Sequence, residues 1–315
     1  MISTVFFGTP SFAIPSLKVL AHDARFHIAA VVTQPDKPQG RSLAVKPSPV
    51  AELAARLGLS VIKIESFKNN PDAINRLGSL APDVAAVVAY GVLLPPQVLH
   101  IPKFGVLNLH PSLLPKYRGA SPIQTVIRNG DQNSGVTIML LDEEMDHGPI
   151  LSQEPITVEE YDTAESLAER LSERGAQLLI ETIPQYLEGT IKPREQDHAL
   201  ASNTGQLTKE NGKIDWRKPA IEIDRMIRAY YPWPGAWTTF EHKGQVVTLK
   251  IIRATPMIAT GRDLSLQQVG MVISDCVILC GNYTLLRLDL VQPAGKKPMS
   301  GEAFMNGYHK VNRFT

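Results

Sequence analysis

The chain has 315 residues, 43% of them apolar and 20% charged, which excludes wholesale disorder and collagen-like or coiled-coil repeats and leaves room for two domains. Its formal net charge of +1 excludes no partner, and its two cysteines exclude a disulfide framework or a four-cysteine zinc site. The longest apolar stretch, residues 84–96, is broken by Gly91 and Pro95-Pro96 and falls short of the about 20 residues that cross a bilayer.

In chain order, residues 4–7 predict a short buried strand ending at Gly8. Residues 10–20 predict a helix with Phe12, Ile14, Leu17 and Leu20 on one face and Pro10 in its first turn. Residues 26–33 predict a strand, and 34–49, with five Pro or Gly, a loop. A helix over 50–57, a strand over 61–64, a helix over 71–80 and strands over 84–89 and 105–109 follow. A helix over 121–129, a strand over 136–141 and a long amphipathic helix over 163–187 complete this part. Near-continuous apolar strands alternating with helices predict a mostly parallel α/β sheet covered on both faces.

The pattern changes after Gly189. Residues 191–207 are polar and irregular and read as a linker. A short helix over 220–229 then precedes strand-like runs from Trp237 onward, which predict a small β barrel or sandwich. Charge divides along the same line. Residues 1–190 carry 15 basic and 20 acidic side chains, a net of −5, and residues 191–315 carry 17 and 11, a net of +6. The asymmetry fits a polyanionic partner and also an incidental surface imbalance.

A doubly wound sheet invites a dinucleotide, but Gly8-Thr9-Pro10-Ser11-Phe12-Ala13 holds one glycine of the expected three and a proline that removes a donor. The run Gly105-Val106-Leu107-Asn108-Leu109-His110-Pro111 carries more chemistry. Strand alternation projects Asn108 and His110 to one side, and Pro111 keeps His110 extended at the carboxyl end of the strand. Open α/β sheets place ligands there, and an amide and an imidazole together can donate to a developing oxyanion. The same two residues would equally serve to satisfy turn backbone. The loop from Ser112 through Leu113, Leu114 and Pro115 offers an apolar wall beside them. An acidic run, Asp142-Glu143-Glu144-Met145-Asp146-His147-Gly148, follows the strand over 136–141. A carboxylate from it would orient His110, and the pattern does not choose among Asp142, Glu143, Glu144 and Asp146. Metal-ligand spacing and a Gly-x-Ser-x-Gly elbow are both missing.

Asn108-x-His110-x-Ser112-Leu113-Leu114-Pro115 with Asp146-His147-Gly148 resembles the 10-formyltetrahydrofolate-using formyltransferases. The resemblance to the methionyl-tRNA formyltransferase family extends over nearly the whole chain. It runs through Phe7-Gly8-Thr9-Pro10, the 33–41 segment, residues 87–91 and 113–124, then Ile214-Asp215-Trp216, Pro232-Trp233-Pro234 and residues 292–299. It implies a Rossmann-like catalytic domain over 1–190, a linker over 191–207 and an OB-like β-barrel domain over 208–315 that binds tRNA. It implies formyl transfer from 10-formyltetrahydrofolate to the methionyl amine of initiator methionyl-tRNA, without a metal, by a monomer; the cytoplasmic setting is expected from the two cysteines and the lack of a basic n-region. Asn108, His110 and Asp146 take the catalytic roles, Ser112 to Pro115 line the folate pocket, and Arg41 in the 34–49 loop contacts tRNA. Where some family members carry a basic pair after this arginine, the chain has Ser42-Leu43-Ala44 and its next cation is Lys46. The competing readings are another acceptor (a purine ribonucleotide or an amino-sugar nucleotide), hydrolysis by water, and a non-catalytic RNA-binding module. The first two leave the same trio in place; the last gives it no chemistry.

Overall fold

The computed structural model describes residues 1–39, 44–258, 267–309 and 311–315. The N-terminal elements are β1 (Ile2–Gly8), α1 (Ile14–His22), β2 (Phe26–Thr33), β3 (Lys37–Gln39), β4 (Ala44–Lys46), α2 (Pro49–Arg56), β5 (Val61–Lys63) and α3 (Pro71–Gly78). They continue as β6 (Val84–Val88), α4 (Pro96–Leu99), β7 (Val106–His110), β8 (Arg118–Gly119), α5 (Pro122–Asn129), β9 (Asn133–Leu140), β10 (Ile150–Thr157), α6 (Ala164–Leu187) and β11 (Asn203–Thr204).

Seven strands form one sheet in the order β10-β9-β7-β6-β1-β2-β5. The five from β7 to β5 are parallel, and β9 and β10 add antiparallel at one edge. Every residue of β6 and β7 is buried, as strands covered on both faces require. Phe6, Val31, Val84, Leu107 and Leu109 lie in one core cluster, and Val5, Phe7, Val32 and Val106 in another. Local chemistry starts the helices: Ser48 accepts from Ala51 N at the start of α2, Asn70 accepts from Ala73 N at the start of α3, and each has proline in its first turn.

Several segments differ from the sequence expectation, among them the unpredicted α4, β8 and β11. Part of the stretch read as a loop over 34–49 pairs as an antiparallel ribbon, β3 with β4, and its Pro49 opens α2. β10 went unpredicted because Pro155 and polar neighbours interrupt its apolar pattern. It forms an edge strand, where a missing N–H breaks no ladder.

The chain separates into two compact units. One comprises Met1–Pro122, Asn133–Thr157 and Ala168–Thr204; the other comprises Ile123–Gln132, Val158–Leu167 and Gly205–Thr315. The second contains α7 (Ala220–Ala229), β12 (Ala236–His242), β13 (Gln245–Met257), β14 (Val272–Ser274), β15 (Val277–Leu279), β16 (Leu285–Pro293), β17 (Met299–Ser300) and α8 (Gly301–Gly307). Its antiparallel sheet runs β12-β13-β16-β15-β14, with β17 on β16. The last residues tie the two edges together. Thr239 and Thr315 exchange backbone hydrogen bonds at 3.0 and 2.8 Å, and Val272 N donates to Asn312 O at 2.9 Å. Trp216, Phe240, Phe304 and Phe314 fill the interior, and Trp216 Nε1 donates to Thr238 Oγ1 at 3.0 Å.

Candidate active site

The strand order reverses between β1 and β6, and the carboxyl ends beside such a reversal are where open α/β sheets hold ligands. β7 lies next to β6 and ends at His110, which is 4% exposed. Both ring nitrogens face oxygens. Nε2 donates to Tyr117 O at 2.9 Å, and Nδ1 stands 3.6 Å from Asp146 Oδ1. Tyr117 and Asp146 have left-handed backbones, φ 61° and 51°. Such conformations cost of order 1–3 kcal/mol and persist when neighbours over-determine them. Asn108 shares the His110 face by strand alternation, and its carboxamide makes no hydrogen bond among the described residues.

Asp146 is singled out from the acidic run. Its Oδ2 accepts from Gly119 N at 2.7 Å. Asp142 instead accepts from His147 Nδ1 at 2.7 Å, and Glu143 and Glu144 are exposed. Gly148 is required by space, because an added Cβ would overlap Leu140 O.

The loop after His110 is pinned from inside. Ser112 Oγ donates to Lys116 O at 2.6 Å. Thr137 Oγ1 donates to Ser112 O at 2.6 Å and accepts from Leu114 N at 3.2 Å and Gln153 Nε2 at 3.0 Å. Leu114 packs with Met139 and Ile150, while Leu113 and Pro115 are half-buried. The structure therefore brings Asn108, His110 and Asp146 to one place. It turns Ser112 and Leu114 into the fold and leaves Leu113 and Pro115 partly accessible. Arg41 lies outside the described residues.

The sequence reading missed several residues around this centre. Arg118, 8% exposed and without a carboxylate partner among the described residues, donates through Nε and Nη2 to Gln196 Oε1 at 3.2 and 2.7 Å. Its Nη2 also donates to His198 Nδ1 at 2.8 Å, and the His198 ring stacks on His147 at 4.1 Å. Gln196 and His198 fall in the stretch read as a linker. Nothing in its polar composition marked them, since what sets Gln196 apart is burial. Among the described residues, no group of three or more His, Cys, Asp or Glu is placed to share a metal ion, and no helix is long and apolar enough to cross a membrane.

The second unit has a cavity of about 570 Å³ with Arg128, Lys213, Lys218, Arg225, Asp215 and Glu222 in its wall. Lys218 faces Glu222 at 3.5 Å, and Asp215 pairs with Arg217 at 2.8 Å. Arg128 Nη1 donates to Tyr230 OH at 3.0 Å, and the Arg225 guanidinium lies against Gly130, where a Cβ would displace it. Arg128, Lys213 and Arg225 form no ion pair among the described residues, so the wall keeps unneutralised positive charge.

Two family models match the chain: Formyl transferase over residues 2–183 and Formyl transferase, C-terminal domain, over residues 206–309. A methionyl-tRNA formyltransferase of Chloroflexus aurantiacus is 44% identical over 308 residues, covering 98% of this chain and 97% of the relative. One from Enterococcus faecalis is 39% identical over 307 residues, covering 98% and 96%. Among solved structures, the Helicobacter canadensis N-formyltransferase complexed with folinic acid and dTDP-3-aminofucose superposes with a TM-score of 0.66 at 20% identity. It covers 91% of this chain and 99% of its own, and at that identity it speaks for the fold. Two matched models and full-length relatives above 30% identity coincide with a buried His–Asp pair at the strand end, and the chain belongs to the methionyl-tRNA formyltransferase family of formyl-transferring enzymes.

Proposed function

We propose that the protein transfers the formyl group of 10-formyltetrahydrofolate to the α-amino group of methionine on initiator methionyl-tRNA, giving N-formylmethionyl-tRNA. The observation that carries the reading is the His110–Asp146 pair beside the uncommitted Asn108 carboxamide at the end of β7.

In the proposed reaction the methionyl nitrogen attacks the formyl carbon, and the carbonyl electrons move to oxygen. Asn108 donates to that oxyanion. His110, with both ring nitrogens facing oxygens, stands beside that oxyanion, and direct donation from Nε2 requires exchange of the hydrogen bond to Tyr117 O. Collapse of the adduct breaks the bond from carbon to N10 of the folate. The proton lost by the amine ends on N10, with the Asp146–His110 pair as its relay. Leu113 and Pro115 supply apolar surface for the folate, and Ser112 and Leu114 hold that loop in shape.

Catalysis is assigned to the Rossmann-like part and tRNA binding to residues 208–315, aided by Arg41. The cationic cavity wall supports phosphate binding in the second unit. The protein is read as a cytoplasmic monomer that uses no metal; sedimentation of the purified chain checks the monomer.

The test is transfer of labelled formyl from 10-formyltetrahydrofolate, with methionyl initiator tRNA, methionyl elongator tRNA and uncharged tRNA as acceptors. Label on the initiator alone is the expected result. Folate turnover with no labelled tRNA keeps the formyl-transfer site and replaces the acceptor; no turnover removes the catalytic reading.

A further inference from the structure

A closed ring of contacts surrounds Asp146, and its hub is a residue with no reacting partner. Gln196 is 5% exposed. Its Nε2 donates to two main-chain oxygens, Asp146 O at 2.9 Å and Gly148 O at 2.7 Å. Its Oε1 accepts from Arg118 Nε and Nη2 at 3.2 and 2.7 Å. Both protons and both lone pairs are engaged. The reverse amide orientation would set the oxygen against two carbonyls and the NH2 against a guanidinium, so the network fixes the assignment. The ring closes through the next residue, because Gly119 N donates to Asp146 Oδ2 at 2.7 Å. Consecutive residues 118 and 119 thus hold Asp146 by its main chain, through Gln196, and by its carboxylate.

The frame that carries Gln196 is itself anchored. Arg194 and Ile150 exchange backbone hydrogen bonds at 2.8 Å, and β11 pairs in parallel with β8. We propose that Gln196 is a positioning residue for formyl transfer, clamping the left-handed turn at Asp146 so that its carboxylate is held against His110. The proposal rests on the catalytic role assigned above to Asp146. Gln196 acts on the aim of the carboxylate and touches neither the imidazole nor the carboxylate oxygens. A residue at φ 51° without glycine's freedom needs such external support. The chemistry selects glutamine. A glutamate would satisfy Arg118 but oppose two carbonyl oxygens with a third acceptor, and an apolar side chain would cost the two carbonyls their Gln196 donor and leave the buried guanidinium only its bond to His198.

The experiment uses the full chain with Gln196→Glu and Gln196→Met, each alone and combined with Asp146→Asn, assayed well below the melting temperature. The expected result is a fall in kcat of about 10²-fold, the size a misplacement of about 1 Å produces, with KM for both substrates within about threefold of wild type. In the Asp146→Asn background the same substitutions cost less than about threefold, because their effect runs through the carboxylate they no longer aim. Amide exchange at Gly119, whose N–H reports on the Asp146 carboxylate, accelerates in both single variants. A folded Gln196→Met with wild-type kcat overturns the proposal, as does a full loss that persists in the Asp146→Asn background. Wild-type turnover in Asp146→Asn alone removes the catalytic reading and this proposal with it, so the two failures are told apart.

Discussion

Asp146 Oδ1 stands 3.6 Å from His110 Nδ1, beyond hydrogen-bond length and within ion-pair range, while Oδ2 of the same carboxylate accepts from Gly119 N at 2.7 Å. The carboxylate is held by one oxygen and presents the other to the imidazole. His110 meets a second acceptor at Tyr117 O, so its ring is fixed from two directions. The arrangement restrains an imidazole beside an uncommitted amide, the geometry on which the proposed oxyanion role rests.

His110→Ala and Asn108→Ala each lower kcat by about 10²–10³-fold, or roughly 2.7–4 kcal/mol, the measured range for one oxyanion donor. Affinity for tRNA, read by filter binding, stays near wild type in both. A catalytically silent His110→Ala overturns the assignment of the trio.

Gly148→Ala forces a methyl group into Leu140 O and moves the turn that carries Asp146. A loss of about 1–3 kcal/mol in stability is expected, by analogy with overpacked sites, together with reduced kcat. Denaturant unfolding and steady-state kinetics on the same sample check both.

RNA binding weakens steeply as salt rises, because each neutralised phosphate releases counterions. Arg128→Ala and Arg225→Ala, from the cavity wall, each lower the slope of log K against log salt by about one. An unchanged slope in the double variant takes the cavity out of the RNA path.

Stability declines on the alkaline side. Burial pushes the Cys280 thiol up to about 12 from 9.0 and also raises the Tyr90 phenol above its ordinary value of 10.0. The folded state keeps these protons while the unfolded state releases them. Their stabilisation is therefore full below pH 9 and is lost as pH rises from there towards the folded values. Denaturant midpoints measured from pH 8 to 11 should fall, and Cys280→Ala should flatten the fall. Cys276, raised mainly by burial, and Cys280 should resist alkylation at pH 8 until the chain unfolds.

Most of the sheet was legible in the sequence, because burial on both faces leaves a near-continuous apolar run, as in β6 and β7. Strand alternation also placed Asn108 beside His110. The edge strand β10 was not legible, since an edge position tolerates the Pro155 that a period-two reading takes as a break. The same limit applied to the acidic run, where four carboxylates share one local composition; the family resemblance named Asp146, and the fold puts its carboxylate 3.6 Å from His110 while Asp142 pairs with His147.

Legible from residue pattern alone were the mostly parallel sheet and the Asn108-His110 pair at a strand end, whereas the first unit runs past Gly189 to Thr204. The sheet and the pair were legible because periodicity and proline geometry act over a few residues. The 3.6 Å approach of Asp146 to His110, the inward turn of Ser112 and Leu114, and the placement of buried Gln196 between Arg118 and the Asp146 turn arise in the folded chain. Those relationships join residues far apart in the chain through burial and hydrogen-bond direction, which no local pattern of residue types encodes.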